Sequence, residues 1–320
     1  MNVNQLQTTV HSHLTENADA LGIDASGLKI TYVLNWGGFV NHSFRVSDGS
    51  ARYHLKLGTT DEQRSTLRRW YELNETLQRY HAPPVLDWLE FDGVCGLLFP
   101  VVSGSTPELD DEVLDAVTSA IRPLWQDGEL AATLRSAGTI TAADTYFGIY
   151  DTRFTEDLAS MREERPPFVS LDTIAYLEDQ VALLAERVKS NEAFAEELDS
   201  PVHGDLWLNN VLWKSRDSWY LLDWDDVRIG DPAIDVAMLT GPTAIDLTPL
   251  KRLDEMWPRL TAVQRERLTL LGRASLLDWV IDPVSDWIVA GVAPDLRDVV
   301  RAEKEGTHHS ALALYRRLFD

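Results

Sequence analysis

The chain changes character near residue 100, and this change limits the folds that are open to it. Before it, three stretches rich in β-forming residues surround glycine turns, a helical segment follows, and two more β-rich stretches end near residue 99. After it, helical periodicity dominates up to residue 320. We therefore expect an α+β fold with two domains, a sheet-rich domain with one long helix at residues 1–102 and a mostly helical domain at residues 103–320.

Charge and cysteine content narrow the classes of partner and compartment. The 320 residues carry a formal net charge of −22 at pH 7, which argues against nucleic acid or an anionic membrane surface as a partner. Cys95 is the only cysteine, so neither a disulfide framework nor a cysteine-rich metal site is expected. The N-terminus lacks a secretory pattern and no apolar stretch reaches membrane-spanning length, so we expect a cytoplasmic protein.

Residues 201–239 contain acids and an amide at spacings that suit phosphoryl transfer. Asp205 follows a His-Gly pair, Asn210 lies five residues further on, and Asp223 closes an apolar run. Oxygen atoms of carboxylates and amides are the ligands that Mg²⁺ prefers, so Asn210 and Asp223 are candidate metal ligands. Asp205 is placed in a loop, where its carboxylate would accept a proton from a substrate hydroxyl.

The sheet-rich part offers groups that would bind phosphate. Gly37 and Gly38 lie in a turn between strands, where the absence of side chains would let a phosphate approach the backbone. Lys56 stands in an otherwise apolar strand and needs an anionic partner, for which an ATP phosphate is a natural choice. A carboxylate of the following helix would hold the ammonium in place. Glu72 is the first choice and Glu75 the second, because helix phase does not separate them well.

These motifs, taken in order, resemble the aminoglycoside phosphotransferase and choline kinase superfamily, which shares the protein-kinase-like fold. The matching segments are His203-Gly204-Asp205 with Asn210, Leu222-Asp223-Trp224-Asp225, Gly230-Asp231-Pro232 with Asp235, and the stretch from Gly37 to Val46. Both parts of the chain contribute, so a chance match of one short motif does not explain the resemblance. The resemblance implies a bilobal fold in which residues 201–239 form one wall of an interlobe cleft.

The resemblance also implies chemical roles. Asp205 would orient or deprotonate the acceptor hydroxyl, and ATP and Mg²⁺ would be the cofactors. Asn210 and Asp223 would bind Mg²⁺, and Lys56 would contact the α- and β-phosphates of ATP. A nucleotide-binding pseudokinase without catalysis is the alternative from another class. The joint presence of these four residues argues against it, because pseudokinases usually lose one of them.

Further residues would position the nucleotide and the catalytic loop. Asn41 belongs to the resembling nucleotide loop, and the linker near residue 100 would bind adenine through the Pro100 carbonyl and the Val102 amide. Many relatives carry an acid where this chain has Pro100, but proline keeps its carbonyl oxygen, so the contact remains available. His203 and Asp235 would support the catalytic loop without taking part in the chemistry.

The acceptor is less constrained by the sequence. Resemblance and charge favour a hydroxyl of an amine-bearing small molecule, such as an aminoglycoside or choline, and a fructosamine or homoserine acceptor is the alternative. Asp278, Asp282 and Asp286 recur every four residues beside Trp279, and acids with an indole face would bind a cation. Pro283 is expected to interrupt this helix, which favours the alternative of core tryptophans with solvated aspartates.

Overall fold

The computed structural model describes residues 3–33, 41–135, 138–241, 261–290 and 297–320. Contacts divide the chain into two compact units. The first unit comprises Met1–Thr106 with Val211–Asp225, and the second comprises Pro107–Asn210 with Asp226–Asp320. Residues 211–225, which the predicted boundary at residue 102 assigns to the C-terminal domain, thus share their contacts with the first unit.

A five-stranded antiparallel sheet forms the centre of the first unit. In spatial order its strands are β1 (Lys29–Val33), β2 (His42–Ser47), β3 (Arg52–Gly58), β5 (Val94–Pro100) and β4 (Asp87–Phe91). The turn between β2 and β3 uses Gly49 at a φ of +91°, a conformation that glycine adopts without strain. The same unit contains a hairpin of β9 (Val211–Ser215) and β10 (Ser218–Leu221).

Three helices complete the first unit, namely α1 (Val3–Glu16), α2 (Ala18–Leu21) and α3 (Asp61–Leu77). α1 covers one face of the sheet with a buried apolar stripe formed by Leu6, Val10 and Leu14. α3 begins at a capping box, in which the Thr60 side chain accepts from the Gln63 amide and the Gln63 side chain returns to the Thr60 amide. α3 packs against β3 and β5.

The second unit is mostly helical. Its helices are α4 (Asp111–Leu124), α5 (Gly128–Leu134), α6 (Ala142–Tyr146), α7 (Thr152–Glu164), α8 (Leu171–Ser190), α9 (Pro232–Thr240), α10 (Ala262–Val289) and α11 (Arg297–Phe319). Two short antiparallel pairs join β6 (Ile140–Thr141) to β7 (Glu197–Leu198) and β8 (Pro201–Val202) to β11 (Arg228–Ile229). The predicted α+β class, with a sheet-rich N-terminal part and a helical remainder, is confirmed. Within the described part of the chain, no helix has both the length and the apolar character needed to cross a membrane.

α10 is continuous, and the predicted interruption at Pro283 is wrong. The helix runs through this proline up to Val289. Proline costs the helix one backbone hydrogen bond, but α10 packs against α7, α9 and α11 and is buried along most of its length. That packing outweighs the missing bond. Asp278, Asp282 and Asp286, spaced by one turn each, therefore lie on one side of an unbroken helix.

Candidate active site

Lys56 projects from the face of the sheet opposite to α1. Its strand neighbours Leu55 and Leu57 are fully buried in the core that includes α1, and successive residues of a strand face opposite sides. The Lys56 Nζ atom lies 5.4 Å from the centre of the Trp70 ring of α3. Because the Lys56 side chain is only 12% exposed, its charge needs an ionic partner.

Two acids that follow β10 are the ionic partners of Lys56. The Lys56 Nζ atom lies 2.6 Å from Asp225 Oδ2 and forms a second ion pair with Asp223. Burial of the ammonium would lower its pKa, but the two carboxylates outweigh burial and raise the pKa of Lys56 above its ordinary value. Lys56 is therefore a fixed positive charge.

Asp223 occupies a constrained backbone position. Its φ of +63° lies in the left-handed region, which is uncommon for a residue other than glycine. Buried Trp224 stabilises the turn by donating from Nε1 to the Leu221 carbonyl over 2.7 Å. The Asp223 side chain is 36% exposed. A partly exposed carboxylate on a constrained backbone suits a hard divalent cation.

Asp225 has partners on two further elements. Asn41, just before β2, donates from Nδ2 to Asp225 Oδ2 over 2.8 Å. Arg69 of α3 donates from Nη2 to the Asp225 carbonyl over 2.7 Å. Asn41 was predicted to belong to the nucleotide loop. In this structure its side-chain amide binds an acid that pairs with Lys56.

The predicted partner of Lys56 on α3 is not the one that the structure shows. Glu72 accepts from Arg68 Nε over 2.9 Å, and its side chain is 60% exposed. Glu72 is two residues from buried Trp70, which places it about 200° around the helix from the ring that faces Lys56. Glu75 is also exposed. The prediction of a Lys56–Glu72 pair, with Glu75 as second choice, is therefore corrected to pairs with Asp223 and Asp225.

Two of the four remaining predicted nucleotide contacts, Pro100 and Val102, lie at the end of β5 and just after it. Pro100 ends β5, where its strand partner on β3 is Tyr53, and Val102 follows two residues later in an irregular segment. Gly37 and Gly38 lie outside the described residues. The roles of these four residues in nucleotide binding stay predictions.

The loop that carries Asp205 is fixed by its neighbours in the second unit. Gly204 has a φ of +81°, and a Cβ atom there would lie 2.6 Å from the Asp226 carbonyl oxygen, so only glycine fits. Asn210 donates from Nδ2 to both the Asp205 carbonyl and the Asp205 carboxylate, each over 2.8 Å. The predicted pair is thus brought together, with Asn210 orienting the side chain of Asp205.

Asp235 holds the same loop from α9. It is fully buried, and its carboxylate accepts from the backbone amides of His203 over 3.0 Å and Gly204 over 2.9 Å. Trp125 Nε1 adds a third hydrogen bond over 2.9 Å. Burial raises the pKa of Asp235, while His203, Trp125 and the two amides oppose the rise. His203 is also fully buried, and its Nδ1 accepts from the Asp205 amide over 3.3 Å.

A buried ion pair anchors the start of α9. Asp231 caps the helix by accepting from the Ala233 amide over 3.0 Å, and Pro232 occupies the first turn. Arg267 of α10 is 2% exposed and lies with its Nε 2.8 Å from Asp231 Oδ2. Burial raises the pKa of Asp231 to about 6 against the opposing effect of Arg267. The pair ties α10 to the helix that carries Asp235.

The predicted acceptor residues of α10 differ in exposure. Asp278 is 4% exposed and pairs with Arg153, whereas Trp279 is 40% exposed and its ring centre lies 5.5 Å from that of Trp207. Asp282 is half-buried. The alternative of core tryptophans with solvated aspartates is therefore wrong at these positions. Burial raises the pKa of Asp278 to about 7, against the opposing effect of Arg153.

Tyr150 interacts electrostatically with both Asp278 and the loop that carries Asp205. It is fully buried and its hydroxyl lies 2.9 Å from Ser275 Oγ. Burial raises the pKa of Tyr150, and the charges of Asp278 and Asp205 add to the rise. Tyr150 is therefore close to both carboxylates.

Four supporting residues were assigned no role from the sequence. Asp225 stood inside a recognised motif, and a second acid two residues after Asp223 was the signal that could have marked it. Arg69, Trp125 and Arg267 reach their partners across long stretches of chain, and no local spacing marks them.

Asn210 and Asp223 each offer an oxygen atom that suits Mg²⁺. Asn210 uses its amide nitrogen for both bonds to Asp205, so its side-chain oxygen is the atom suited to a metal. Asp223 offers a partly exposed carboxylate. Among the described residues, no group of three or more His, Cys, Asp or Glu side chains is arranged to hold a metal. Protein-bound Mg²⁺ takes few protein ligands and keeps waters and phosphate oxygens, so each of these oxygen atoms is a candidate ligand by itself.

The antiparallel sheet of the first unit and the mostly helical second unit are the parts of a kinase-like fold. The family described as "Phosphotransferase enzyme family" matches residues 31–269. The chain belongs to this family.

Solved structures of small-molecule kinases have a similar fold. A choline kinase from Cryptosporidium parvum Iowa II has a TM-score of 0.61 and 14% identity, over 97% of this chain and 99% of that one. A Plasmodium vivax ethanolamine kinase has a TM-score of 0.59 and 16% identity, over 99% and 90%. A thermostable mutant aminoglycoside phosphotransferase in ternary complex with AMP-PNP and hygromycin B has a TM-score of 0.52 and 17% identity, over 96% and 98%. Among curated protein sequences, no significant match was found.

Proposed function

We propose that the protein transfers the γ-phosphoryl group of ATP to a hydroxyl group of a small molecule, with Mg²⁺ as cofactor. The observation that carries this proposal is the placement of Asp205. Asn210 binds its carboxylate at 2.8 Å, and Asp235 holds the backbone amides that precede it. Membership of the family and the small-molecule kinases among the structural neighbours support the reaction class.

In the proposed reaction Asp205 acts on the acceptor. Its carboxylate accepts a hydrogen bond from the acceptor hydroxyl and orients the oxygen towards the γ-phosphorus. A new P–O bond forms while the bond to ADP breaks, and Asp205 takes up the proton of the hydroxyl. Orientation is the main contribution of the protein, because phosphoryl transfer asks for little covalent chemistry from the enzyme.

The nucleotide would be held by charge and by backbone groups. Lys56 supplies positive charge to the inner phosphates, and Gly37 with Gly38 lets the phosphates approach the backbone. The Pro100 carbonyl and the Val102 amide would bind adenine. The neighbour solved with AMP-PNP supports a nucleotide as the donor.

Mg²⁺ would be held by the Asn210 side-chain oxygen and the Asp223 carboxylate. The ion supplies positive charge that stabilises the phosphate oxygens. The exposure of Asp223 and the unused side-chain oxygen of Asn210 support this assignment. His203 and Asp235 would act only through the loop that they position.

The acceptor is proposed to carry an amine. Trp279 offers an exposed indole beside half-buried Asp282. An indole face and carboxylates attract a cationic group. The choline and ethanolamine kinases among the neighbours support this class, while fructosamine and homoserine acceptors stay as alternatives.

A panel of acceptors tests the proposal. Purified protein with ATP and Mg²⁺ is incubated separately with choline, ethanolamine, aminoglycosides, a fructosamine and homoserine, and products are identified by mass spectrometry. We expect a phosphorylated product from at least one amine-bearing compound, and none with Asp205→Asn. If ATP binds and no compound is phosphorylated, the result favours a nucleotide-binding protein without catalysis.

A further inference from the structure

The two acids that pair with Lys56 differ in exposure. The Asp223 side chain is 36% exposed, whereas that of Asp225 is 13% exposed. Asp225 Oδ2 also accepts from Asn41 Nδ2 over 2.8 Å, and the Asp225 carbonyl accepts from Arg69 Nη2 over 2.7 Å. Asp225 is therefore restrained at its side chain and its backbone when it meets Lys56.

The helix beside Lys56 offers an aromatic ring in place of an acid. The buried residues of α3 are Leu67, Trp70, Leu73, Asn74 and Leu77. The Trp70 ring lies 5.4 Å from Lys56 Nζ, while Glu72 points outward and binds Arg68. Within the described residues, the carboxylates bonded to Lys56 are those of Asp223 and Asp225.

We propose that Asp225 is the positioning residue that holds the Lys56 ammonium in place for the nucleotide phosphates. This inference rests on the proposed function, since it assumes that Lys56 contacts ATP. An ammonium group has three N–H donors. One of them directed at Asp225 leaves two for phosphate oxygens.

Asp223 and Asp225 thus have different roles. The more exposed Asp223 gives its oxygen to Mg²⁺, and the more enclosed Asp225 remains with Lys56. Because Asp225 is held at both its side chain and its backbone, it fixes the position of the ammonium whether or not Asp223 binds the metal. Asp225 then has the role that the sequence predicted for Glu72 of α3.

A double-mutant cycle on ATP affinity distinguishes this role from simple structural support. Affinity for ATP is measured by calorimetry for the wild type, Asp225→Asn, Lys56→Met and the double variant. Loss of one partner of an enclosed charge pair is expected to weaken ATP binding roughly tenfold or more. If Asp225 acts through Lys56, the double variant binds ATP no more weakly than Lys56→Met, within about threefold.

Measurements with and without Mg²⁺ separate positioning from metal binding. Asp225→Asn is expected to weaken ATP binding by the same factor in both conditions. Asp223→Asn is expected to remove the increase in ATP affinity that Mg²⁺ causes. Asp217→Asn, at the exposed turn of the β9–β10 hairpin, is the matched control and keeps wild-type affinity. Circular dichroism shows that each variant is folded.

The outcomes test the role of Asp225 and the proposed function separately. Coupled effects that do not depend on Mg²⁺ support the inference. Wild-type affinity in Asp225→Asn, additive effects in the cycle, or loss of the Mg²⁺ gain in Asp225→Asn would overturn it and leave the proposed function standing. A wild-type protein that binds no ATP would overturn the proposed function and this inference together.

Discussion

The Trp125 indole donates a hydrogen bond to the Asp235 carboxylate over 2.9 Å, although 110 residues separate the two in the chain. Trp125 caps the C-terminal end of α4, and Asp235 lies on α9. The same carboxylate accepts the backbone amides of His203 and Gly204. The residue that caps α4 therefore helps to hold Asp235, which in turn holds the loop before Asp205.

Replacing the Trp125 indole should lower the stability of the protein. Trp125→Phe removes a donor to a buried carboxylate, and a hydrogen bond to a charged group contributes about 1.5–3 kcal/mol. We expect a fall of about this size in the free energy of unfolding, measured by denaturant titration. Trp88→Phe is the control, because the Trp88 indole donates to the exposed carboxylate of Glu90. Equal losses in the two variants would contradict a special role for Trp125.

Gly204 should tolerate no side chain. Gly204→Ala combines a positive φ with a contact of 2.6 Å to the Asp226 carbonyl. Gly93→Ala has nearly the same φ, +77°, but nothing within 4 Å of the new Cβ, so it carries only the backbone cost of about 1–2 kcal/mol. We expect Gly204→Ala to lose more stability than Gly93→Ala and to lose nearly all phosphoryl transfer. Equal melting temperatures and unchanged turnover would show that the loop can move away from Asp226.

Glu72 should be dispensable for nucleotide binding. Its side chain is 60% exposed and pairs with Arg68, and exposed pairs of this kind contribute little. We expect Glu72→Gln to keep the wild-type ATP affinity within about twofold by calorimetry. A loss of tenfold or more, on the order of 1.4 kcal/mol, would mean that Glu72 turns towards Lys56 when nucleotide binds.

The buried acid of α10 should give a pH-dependent effect on stability. Burial raises the pKa of Asp278 from 3.8 to about 7, so between these values the folded chain holds a proton that the unfolded chain releases. The contribution of Asp278 to stability therefore falls as pH rises from about 4 to about 7. Asp278→Asn lacks this dependence, so its stability relative to the wild type should improve across that window. Urea titrations at about pH 4.5, 5.5 and 7 measure the difference in free energy of unfolding between the variant and the wild type. A constant difference would contradict the raised pKa.

Much of the fold could be predicted because its signals are local. The order of three strands, a helix and two strands follows from β-forming runs, glycine turns and helical periodicity. The pairing of Asp205 with Asn210 was also predictable, because a five-residue spacing in one loop brings the side chains together. In both cases the information lies within a few residues.

What could not be predicted depends on distant packing. Asn41 and Asp225 are 184 residues apart in the chain, and helix phase alone did not show that Trp70 would face Lys56 in place of Glu72. α10 continues through Pro283 because neighbouring helices bury it, a tertiary effect that outweighs the local preference of proline. Burial of Asp278 likewise needs Arg153 from α7.

Asp205→Asn offers the most direct test of the central claim, that Asp205 acts on the acceptor hydroxyl. ATP affinity and the rate of phosphoryl transfer to the best acceptor are measured side by side, with Asp199→Asn, an exposed acid of the same unit, as control. We expect Asp205→Asn to bind ATP like the wild type while transfer falls at least roughly 100-fold. The control should match the wild type in both measurements. Transfer at the wild-type rate by Asp205→Asn would contradict the account.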